Sequence, residues 1–282
     1  MLTSPLSCRP SSPQMNCLET YSGLLREVFG RTAKFESDAL AWRYRDNPAG
    51  AVVGTDAWDG DRLAAHYVTC PITALVEGEL RQGLLSLNTA THPDYRGRGL
   101  FTELAHRTFE RAAAQGYSFV IGVANASSTP GFVRKLGFQS VSPLAAGLVL
   151  NDPRRMRQAD CQYQAYWSTA ALNWRLSNPA ARYFCGSSGD LYGVWADTGV
   201  PFLRCAAYLE VSGRVASRRP LGLSLFIGLD SRISISRHGF IPVPSLWRPS
   251  PLNLIWRSLS SGTATVLRSD EIAFNFLDFD PY

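Results

Sequence analysis

The spacing of apolar residues predicts the first regular element of the chain. Between Cys17 and Phe29 they recur three or four positions apart, which indicates a helix with one buried face. These apolar positions are Leu18, Tyr21, Leu24, Leu25 and Val28. Gly30 follows and is a candidate helix C-cap. The first 15 residues are rich in Ser and Pro and are expected to be frayed.

Strands are predicted next at residues 62–70, 72–76 and 79–91. Pro93 ends the last of them, because proline cannot donate a hydrogen bond to a strand ladder. A helix then begins near residue 100 and ends at Gly116. Residues 118–124 predict a second buried strand.

Two further elements follow from local pattern. Thr129 and Pro130 predict the start of a short helix that ends at Leu136, with Thr129 as the cap. Residues 274–282 alternate apolar and polar side chains, which predicts a final strand. Asp278 and Asp280 would then lie on one face of that strand.

An approximate internal repeat indicates two halves of similar plan. Trp42-Arg43-Tyr44-Arg45-Asp46-Asn47-Pro48-Ala49 recurs, one residue shorter, as Trp174-Arg175-Leu176-Ser177-Asn178-Pro179-Ala180. A strand, a Gly-Asp turn and another strand are predicted after each copy. We therefore predict a flexible N-terminus at 1–15, a first domain at 16–147 and a second domain at 148–282.

Composition places the chain among proteins with a packed core. Of its 282 residues, 45% are hydrophobic and 18% are charged, which argues against a disordered chain. The net charge of +5 suits an anionic ligand. No block of Lys and Arg indicates a nucleic-acid partner, and the basic clusters at 154–157 and 214–219 are interpreted as solvated surface.

The six cysteines and the terminal segment bear on location. None of the cysteines forms a Cys-x-x-Cys pair, and no histidine spacing completes a zinc site. We expect buried thiols in a reducing compartment and no metal. The N-terminus lacks the pattern of a signal peptide, and no apolar run has the length of a membrane span. A cytoplasmic protein without a membrane partner is predicted.

The turn between the strand at 84–91 and the following helix has the features of a phosphate site. The amides at a helix N-terminus are free to bind an anion. Gly97 and Gly99 let backbone approach a ligand, and Arg96 and Arg98 add positive charge. A pyrophosphate is the expected occupant. A dinucleotide fingerprint would need a third glycine at Thr102, and no Gly-Lys-Ser/Thr of a P-loop is present.

The segment His-Pro-Asp-Tyr-Arg-Gly-Arg-Gly-Leu-Phe at 92–101 resembles the signature Arg/Gln-x-x-Gly-x-Gly/Ala of the GCN5-related N-acetyltransferase (GNAT) superfamily. Arg96, Gly99 and Phe101 match its fixed positions, with Phe101 replacing the usual Gly or Ala. A downstream stretch is also similar to the family. There Asn125 closes the second strand, and a short helix ends at Leu136-Gly137-Phe138.

The resemblance implies an α+β fold: three layers, a mixed and partly antiparallel central sheet with helices on both faces, and a second, degenerate lobe of GNAT-like plan. It also implies an acyl-coenzyme A co-substrate, acetyl-CoA or another acyl-CoA. Its pantetheine would lie where the two central strands splay apart. The implied coenzyme contacts are Asn88, Thr89, Ala90, Thr91, Arg96, Gly97, Arg98, Gly99, Leu100, Phe101, Asn125 and Phe132.

Candidates for the proton transfers of such a reaction are few. Many family members carry a tyrosine acid four residues before the Gly of the Gly-Phe pair, and here that position is Val133. The candidate catalytic residues are His66, Asn88 and Asp278. A structural role is the alternative for His66, and Asn88 would hold a water. His92 is expected to be structural or to lie beside the cofactor, and His106 is expected to be solvated. The fourth histidine is His238.

The second half keeps the Trp-Arg and Asn-Pro opening but lacks the Arg-x-x-Gly-x-Gly spacing; Arg218 to Gly222 stands in its place. We expect it to bind no coenzyme of its own and to wall the acceptor pocket. The predicted function is transfer of an acetyl or short acyl group to the amine of a small molecule, such as a nucleotide-linked amino sugar. The alternatives are an inactive acyl-CoA-binding regulator and a Fem-like aminoacyl transferase.

Overall fold

Six helices and fifteen strands are present in the part of the chain that the computed structural model describes, residues 6–210, 220–233, 239–248, 250–263 and 266–281. The helices are α1 (Met15–Phe29), α2 (Ser37–Tyr44), α3 (Leu100–Ala114), α4 (Thr129–Leu136), α5 (Thr169–Leu176) and α6 (Phe276–Phe279). The strands are β1 (Ser7–Pro10), β2 (Val53–Asp59), β3 (Arg62–Val76), β4 (Glu79–Thr91), β5 (Phe119–Ala124), β6 (Gln139–Pro143), β7 (Ala145–Val149), β8 (Tyr163–Ala165), β9 (Tyr183–Ser188), β10 (Leu191–Asp197), β11 (Leu203–Leu209), β12 (Leu223–Asp230), β13 (Phe240–Pro242), β14 (Asn253–Ser258) and β15 (Ile272–Asn275).

The described strands form one mixed sheet with helices on both faces, so the predicted fold class is confirmed. Helices α1 and α2 pack their apolar sides on one face of β3 and β4. Helices α3 and α4 pack on the other face, over β2, β3, β4 and β5. This is the N-terminal lobe, and it contains the candidate phosphate turn.

The C-terminal half repeats this plan. Helix α5, strands β9 and β10, and β11 follow the same order as α2, β2, β3 and β4. In both lobes the next strand is parallel to the last of these, β5 to β4 and β12 to β11. The repeat seen in the sequence thus corresponds to two structural copies. We refer to the second copy as the C-terminal lobe.

The two lobes exchange one strand each. Strand β14, from the C-terminal half, lies between β5 and β6 of the N-terminal lobe and is antiparallel to both. Reciprocally, β7 lies between β12 and β13. The predicted boundary between residues 147 and 148 falls within β7, a strand that pairs with β12 and β13 of the C-terminal lobe. Each lobe's sheet is completed by the other half of the chain.

The repeated tryptophans join the lobes at a local two-fold arrangement. The Trp42 indole N–H donates to the Trp174 carbonyl at 2.8 Å, and the Trp174 indole donates to the Trp42 carbonyl at 2.9 Å. Their rings stack with centroids 4.5 Å apart. Equivalent residues of the two repeats therefore contact each other directly.

Asp280 lies buried beside these tryptophans and binds both repeated arginines. Arg43 and Arg175 each donate to its Oδ2 at 2.7 Å. The Asn178 amide donates to the same oxygen at 2.9 Å, and the Tyr183 hydroxyl donates to Oδ1 at 2.7 Å. We call these five side chains the Asp280 hub. It ties the chain end to both lobes.

Two predictions about strands are wrong. Residues 62–76 form one strand rather than two, because Pro71 lies beyond the end of the β2 ladder and its missing N–H breaks no pair there. The predicted strand at 274–282 ends at Asn275, where α6 begins. The Asn275 side chain accepts from the Leu277 amide and Asp278 accepts from the Asn275 amide, a capping box that starts a helix. Asp278 and Asp280 accordingly do not share a strand face.

Smaller predictions have mixed outcomes. Gly30 caps α1 with φ of 88°, as predicted. The cap of α4 is Ser128, and Thr129 is already the first helical residue, so that prediction is wrong. All six cysteines are free, but only Cys70 and Cys205 are buried. Arg214, Arg218, Arg219 and His238 lie outside the described residues. Among the described helices, none is long and apolar enough to cross a bilayer.

Candidate functional site

Strands β4 and β5 separate after three residue pairs. The pairing runs from Leu84 to Ser86 on β4 and from Val120 to Gly122 on β5. Beyond it, β4 remains paired only with β3, as far as Thr91, and β5 only with β14, as far as Ala124. Beyond Ser86 and Gly122, the edges of β4 and β5 that face each other are therefore unpaired. An extended chain of a ligand can add to such an edge by backbone hydrogen bonds.

A β-bulge at Asn88 produces this separation. On β3, Val68 pairs with Leu87 and His66 pairs with Ala90, so two residue steps lie opposite three. Asn88 has φ of +48°, a left-handed conformation that asparagine tolerates better than most residues. The bulge turns the end of β4, with half-buried Asn88 and Thr89, away from β5.

The turn at 96–101 leaves a group of amides without acceptors. Within the described residues, the first amides that bond back into α3 are those of Thr102 and Glu103, both to the Gly99 carbonyl. The amides of residues 97–101 donate no hydrogen bond to the protein there. Gly97 and Gly99 have φ of 78° and 77°, and both face open space where a Cβ would stand. This geometry matches an anion site at a helix N-terminus.

The two arginines of the turn are exposed and available to an anion. Neither Arg96 nor Arg98 forms an ion pair with a carboxylate among the described residues. Arg96 contacts the Thr91 carbonyl at 3.4 Å, and Arg98 stacks over the Tyr95 ring at 4.9 Å. Their positive charge is thus not neutralised locally.

Three predicted coenzyme contacts have side chains that pack in the protein interior. Leu100 is 5% exposed and belongs to the core under α3. Phe101 and Phe132 meet edge to face, with ring centroids 5.2 Å apart. The backbone of Leu100 and Phe101 can still face the anion. The structure gives Phe132 a role in fixing α4 against α3.

Asn125 organises the turn that follows β5. Its side-chain oxygen accepts from the amides of Ser127 and Ser128, at 3.1 and 2.9 Å, and its carbonyl accepts from Thr129. The side chain is exposed at the mouth of the gap. Asn125 therefore shapes the start of α4, and its contact with a coenzyme stays a prediction.

A buried polar chain ends at Asn88. The Asn88 amide donates to the Tyr44 hydroxyl at 3.0 Å, and Tyr44 lies 3.3 Å from the His66 Nε2. The His66 Nδ1 lies 2.6 Å from Asp56, which also accepts from the Tyr21 hydroxyl. An Nδ1–H tautomer of His66 lets every member be satisfied, with Tyr44 donating to Nε2. Burial is the main reason that the pKa of Tyr44 is raised.

His66 is fully buried, so it can act on a substrate only through Tyr44 and Asn88. Sequence reasoning missed Tyr44, although the repeat contained a signal. Tyr44 follows the Trp-Arg pair of the first copy, where the second copy carries Leu176. A polar residue that appears in only one of two copies is a candidate for a function that only that copy performs.

We expect Tyr44→Phe to lower the free energy of unfolding by about 1–3 kcal/mol, since it leaves buried polar groups of His66 and Asn88 without a partner. Urea denaturation of both proteins measures this change. Tyr117→Phe is the control, because the Tyr117 hydroxyl is half-buried and donates no hydrogen bond among the described contacts. Equal stability of Tyr44→Phe and the parent protein would contradict the network.

Asp278 is not near Asn88 or the phosphate turn. It accepts from the Trp167 indole at 3.1 Å and holds the capping box of α6. Burial raises the pKa of the Asp278 carboxyl to about 7. It lines a separate pocket at the far end of β3 and β4. Its catalytic role stays a prediction, and its distance from Asn88 and the phosphate turn gives that role no support. The terminal carboxylate of Tyr282 lies outside the described residues.

In the C-terminal lobe the corresponding edge is occupied by protein. Ser224 of β12 pairs with both β7 and β11, so those two strands lie on opposite edges of β12. Gly228 pairs with both β7 and β15, so β15 lies on the same edge as β11. Strand β15 thus takes the place beside β12 that is open beside β4. Of the two corresponding positions in the described sheet, the one beside β4 in the N-terminal lobe is open.

The fold and this site define a two-lobed α+β protein with a gap between two parallel strands next to a helix N-terminus whose amides are free. Residues 14–141 match the acetyltransferase (GNAT) domain family. This match places residues 14–141 in the GNAT superfamily. The family makes acyl transfer the general reaction class.

Solved structures with the same fold cover nearly the whole chain. A probable N-acyltransferase from Enterococcus faecalis V583 is 11% identical with a TM-score of 0.63, over 91% of this chain and 73% of that one. Eis1 from Mycobacterium abscessus is 10% identical with a TM-score of 0.59, over 90% and 74%. A GCN5-related N-acetyltransferase from Anabaena variabilis ATCC 29413 is 10% identical with a TM-score of 0.58, over 90% and 73%. None of the curated proteins matches the sequence.

Proposed function

We propose that this protein is an acyl-CoA-dependent N-acyltransferase that moves an acetyl or short acyl group to the amine of a small molecule. The observation that carries the proposal is the combination of the open β4–β5 gap with five free amides at 97–101. A coenzyme needs both a pyrophosphate site and an extended slot for pantetheine. The gap lies at the C-terminal end of β4, and the free amides follow it in the chain with only residues 92–96 between them.

The proposed contacts follow from this arrangement. The amides of residues 97–101, with Arg96 and Arg98, bind the pyrophosphate. The free edge of β4 from Asn88 to Thr91 pairs with pantetheine. A backbone N–H in the bulge then polarises the thioester carbonyl, as an oxyanion-hole donor does.

The reaction is direct attack in a ternary complex. The amine nitrogen forms the new C–N bond, the C–S bond breaks, and one proton passes from the nitrogen to the thiolate. Most of the rate comes from positioning the two substrates together. Asn88 touches the reacting region, and Tyr44 and His66 position its amide. Because Val133 stands where many relatives have a tyrosine, the proton leaves by bound water beside Asn88 in this proposal.

The acceptor is proposed to be a small amine that enters from the side facing the C-terminal lobe, in the cytoplasm. The net charge of +5 favours an anionic acceptor such as a nucleotide-linked amino sugar. The alternative, an acyl-CoA-binding regulator without turnover, shares the coenzyme site and differs only in the chemical step.

We expect acetyl-CoA to raise the melting temperature of the parent protein and to leave Arg96→Glu/Gly99→Glu unchanged. The variant places two negative charges in the anion site and forces a side chain into a left-handed position at Gly99. Its affinity for acetyl-CoA should fall by at least about a hundredfold, or roughly 2.7 kcal/mol. Calorimetric titration measures this. Arg31→Glu/Thr32→Glu, at two exposed sites on the α1–α2 connection, is the charge-matched control. Equal binding by both variants would contradict the site.

Turnover is tested by release of free thiol from several acyl-CoAs with a panel of amines that includes dTDP- and UDP-amino sugars. If the protein is an enzyme, the rate of thiol release should rise with the concentration of one class of amine. Tight acyl-CoA binding without thiol release from any amine would support the regulator and overturn the enzyme.

A further inference from the structure

A pocket of about 290 Å³ lies between the two lobes, away from the acyl-transfer site. Its lining includes Ile72 on β3, Gln82 on β4, and the indoles of Trp167 and Trp174. Gln82 is six residues before Asn88, about 20 Å along an extended strand. None of the predicted coenzyme contacts lines this pocket. Its volume is at the small end of the range for ligand sites.

Two buried polar groups in the lining have no hydrogen-bond partner among the described residues. These are the Tyr163 hydroxyl and the Arg175 Nε–H. Tyr163 is 0% exposed and Arg175 is 3% exposed. Buried donors are normally satisfied, and each unsatisfied one needs an explanation. Since both residues line the same pocket, an acceptor group bound there would satisfy both.

The local charges favour an anion. Arg43 and Arg175 share the single carboxylate of Asp280, whose oxygens are already bonded to four donors. The remaining acid of the lining is Asp278. Burial raises the pKa of its carboxyl to about 7, so it carries only part of a negative charge at neutral pH. One additional negative charge would bring this region closer to neutrality.

Most of the remaining lining is apolar or aromatic. It includes the aromatic residues Tyr166, Trp167 and Trp174 and the aliphatic residues Ile72 and Leu80. Flat apolar walls suit a ring or a short branched chain. The donors and the walls together describe a ligand with an acidic head and an apolar body.

We propose that this interlobe pocket binds a small monoanionic carboxylate with an aromatic or short aliphatic body. The Tyr163 hydroxyl and the Arg175 Nε–H donate to the carboxylate, and the indoles of Trp167 and Trp174 pack on the apolar body. The site is independent of the acyl-CoA site and contacts both copies of the internal repeat. Its occupant therefore bridges the two lobes.

Calorimetric titration of the full chain with benzoate, hexanoate and indole-3-acetate tests the proposal. We expect saturable binding of at least one carboxylate, and binding of its neutral amide at least about tenfold weaker, the effect of losing a charge-assisted hydrogen bond. Tyr163→Phe should weaken binding of the carboxylate by about tenfold. It should leave the melting temperature unchanged, because the Tyr163 hydroxyl has no partner among the described residues. Ala170→Trp, at the exposed rim of the pocket, should abolish binding.

The outcomes separate this site from the acyl-transfer site. Arg96→Glu/Gly99→Glu is expected to bind the carboxylate as the parent protein does, whether or not acyl-CoA binds the parent. Equal affinity for acid and amide, an unchanged dissociation constant in Tyr163→Phe, or no binding of any probe up to millimolar concentration would each overturn the proposal.

Discussion

Asp280→Asn is expected to destabilise the protein by about 3–5 kcal/mol, the range found when one partner of a buried ion pair is removed. The guanidinium groups of Arg43 and Arg175 are 8% and 4% exposed and share this carboxylate. Asparagine keeps the size of the side chain but removes the charge and replaces one acceptor oxygen by an NH2 donor. Two buried cations then lack an anion, and water cannot reach them easily. Urea denaturation of the two proteins gives the difference in unfolding free energy.

Asp270→Asn is the matched control for this prediction. Asp270 is 72% exposed and pairs with Arg268 at 3.3 Å. An exposed pair contributes at most about 1 kcal/mol, so this variant should denature close to the parent protein. A total stability of roughly 5–15 kcal/mol makes a loss at Asp280 easy to resolve. Similar small losses in both variants would show that the Asp280 hub is solvated and contributes little.

The candidate phosphate turn was predictable because its features are local. A strand, two glycines and an amphipathic helix follow one another within residues 84–114, and each is visible in a short window of sequence. The repeat was also visible, because Trp-Arg and Asn-Pro recur at nearly the same spacing. The structure shows why these residues are paired: Trp42 and Trp174 bond to each other, and Arg43 and Arg175 share Asp280.

The exchange of strands between the lobes could not be predicted from the sequence, because strand pairing is non-local. Nothing in the segments 145–149 and 253–258 shows that they change places between lobes, since neighbours in a sheet can be more than 100 residues apart. The chain end was misread for a different reason. Alternating residues at 274–280 fit a strand, but Asn275 and Asp278 also stand at capping-box spacing, and the local hydrogen bonds favour the helix.

Strand β15, which precedes α6, also occupies a particular place in the sheet. A strand from the chain's own end fills the edge of β12 that corresponds to the open edge of β4. It then continues into α6 and delivers Asp280 to the arginines of both repeats. The N-terminal lobe thus has an open gap beside β4, whereas β15 fills the same position in the C-terminal lobe.

Separated halves, residues 1–160 and 161–282, are expected not to fold alone. The first half lacks β14, whose Ile255 is 1% exposed within the core under α3 and whose Trp256 stacks on Phe119 at 4.7 Å. Loss of these contacts removes several core side chains, each contributing about 2–5 kcal/mol. That total exceeds the stability of a typical domain. Each half alone should show no cooperative urea transition, and co-expression should restore one.

The exchange of strands, rather than simple contact between lobes, is tested by a variant of the co-expressed halves. Ile255→Asp places a charge inside the core of the other half and should prevent restoration. Asp270→Asn, in the same half but exposed, should restore the complex as the parent sequence does. A cooperative transition in residues 1–160 alone would mean that the N-terminal lobe closes its sheet without β14. The gap beside β4 would then depend on the bulge at Asn88 and not on the partner lobe.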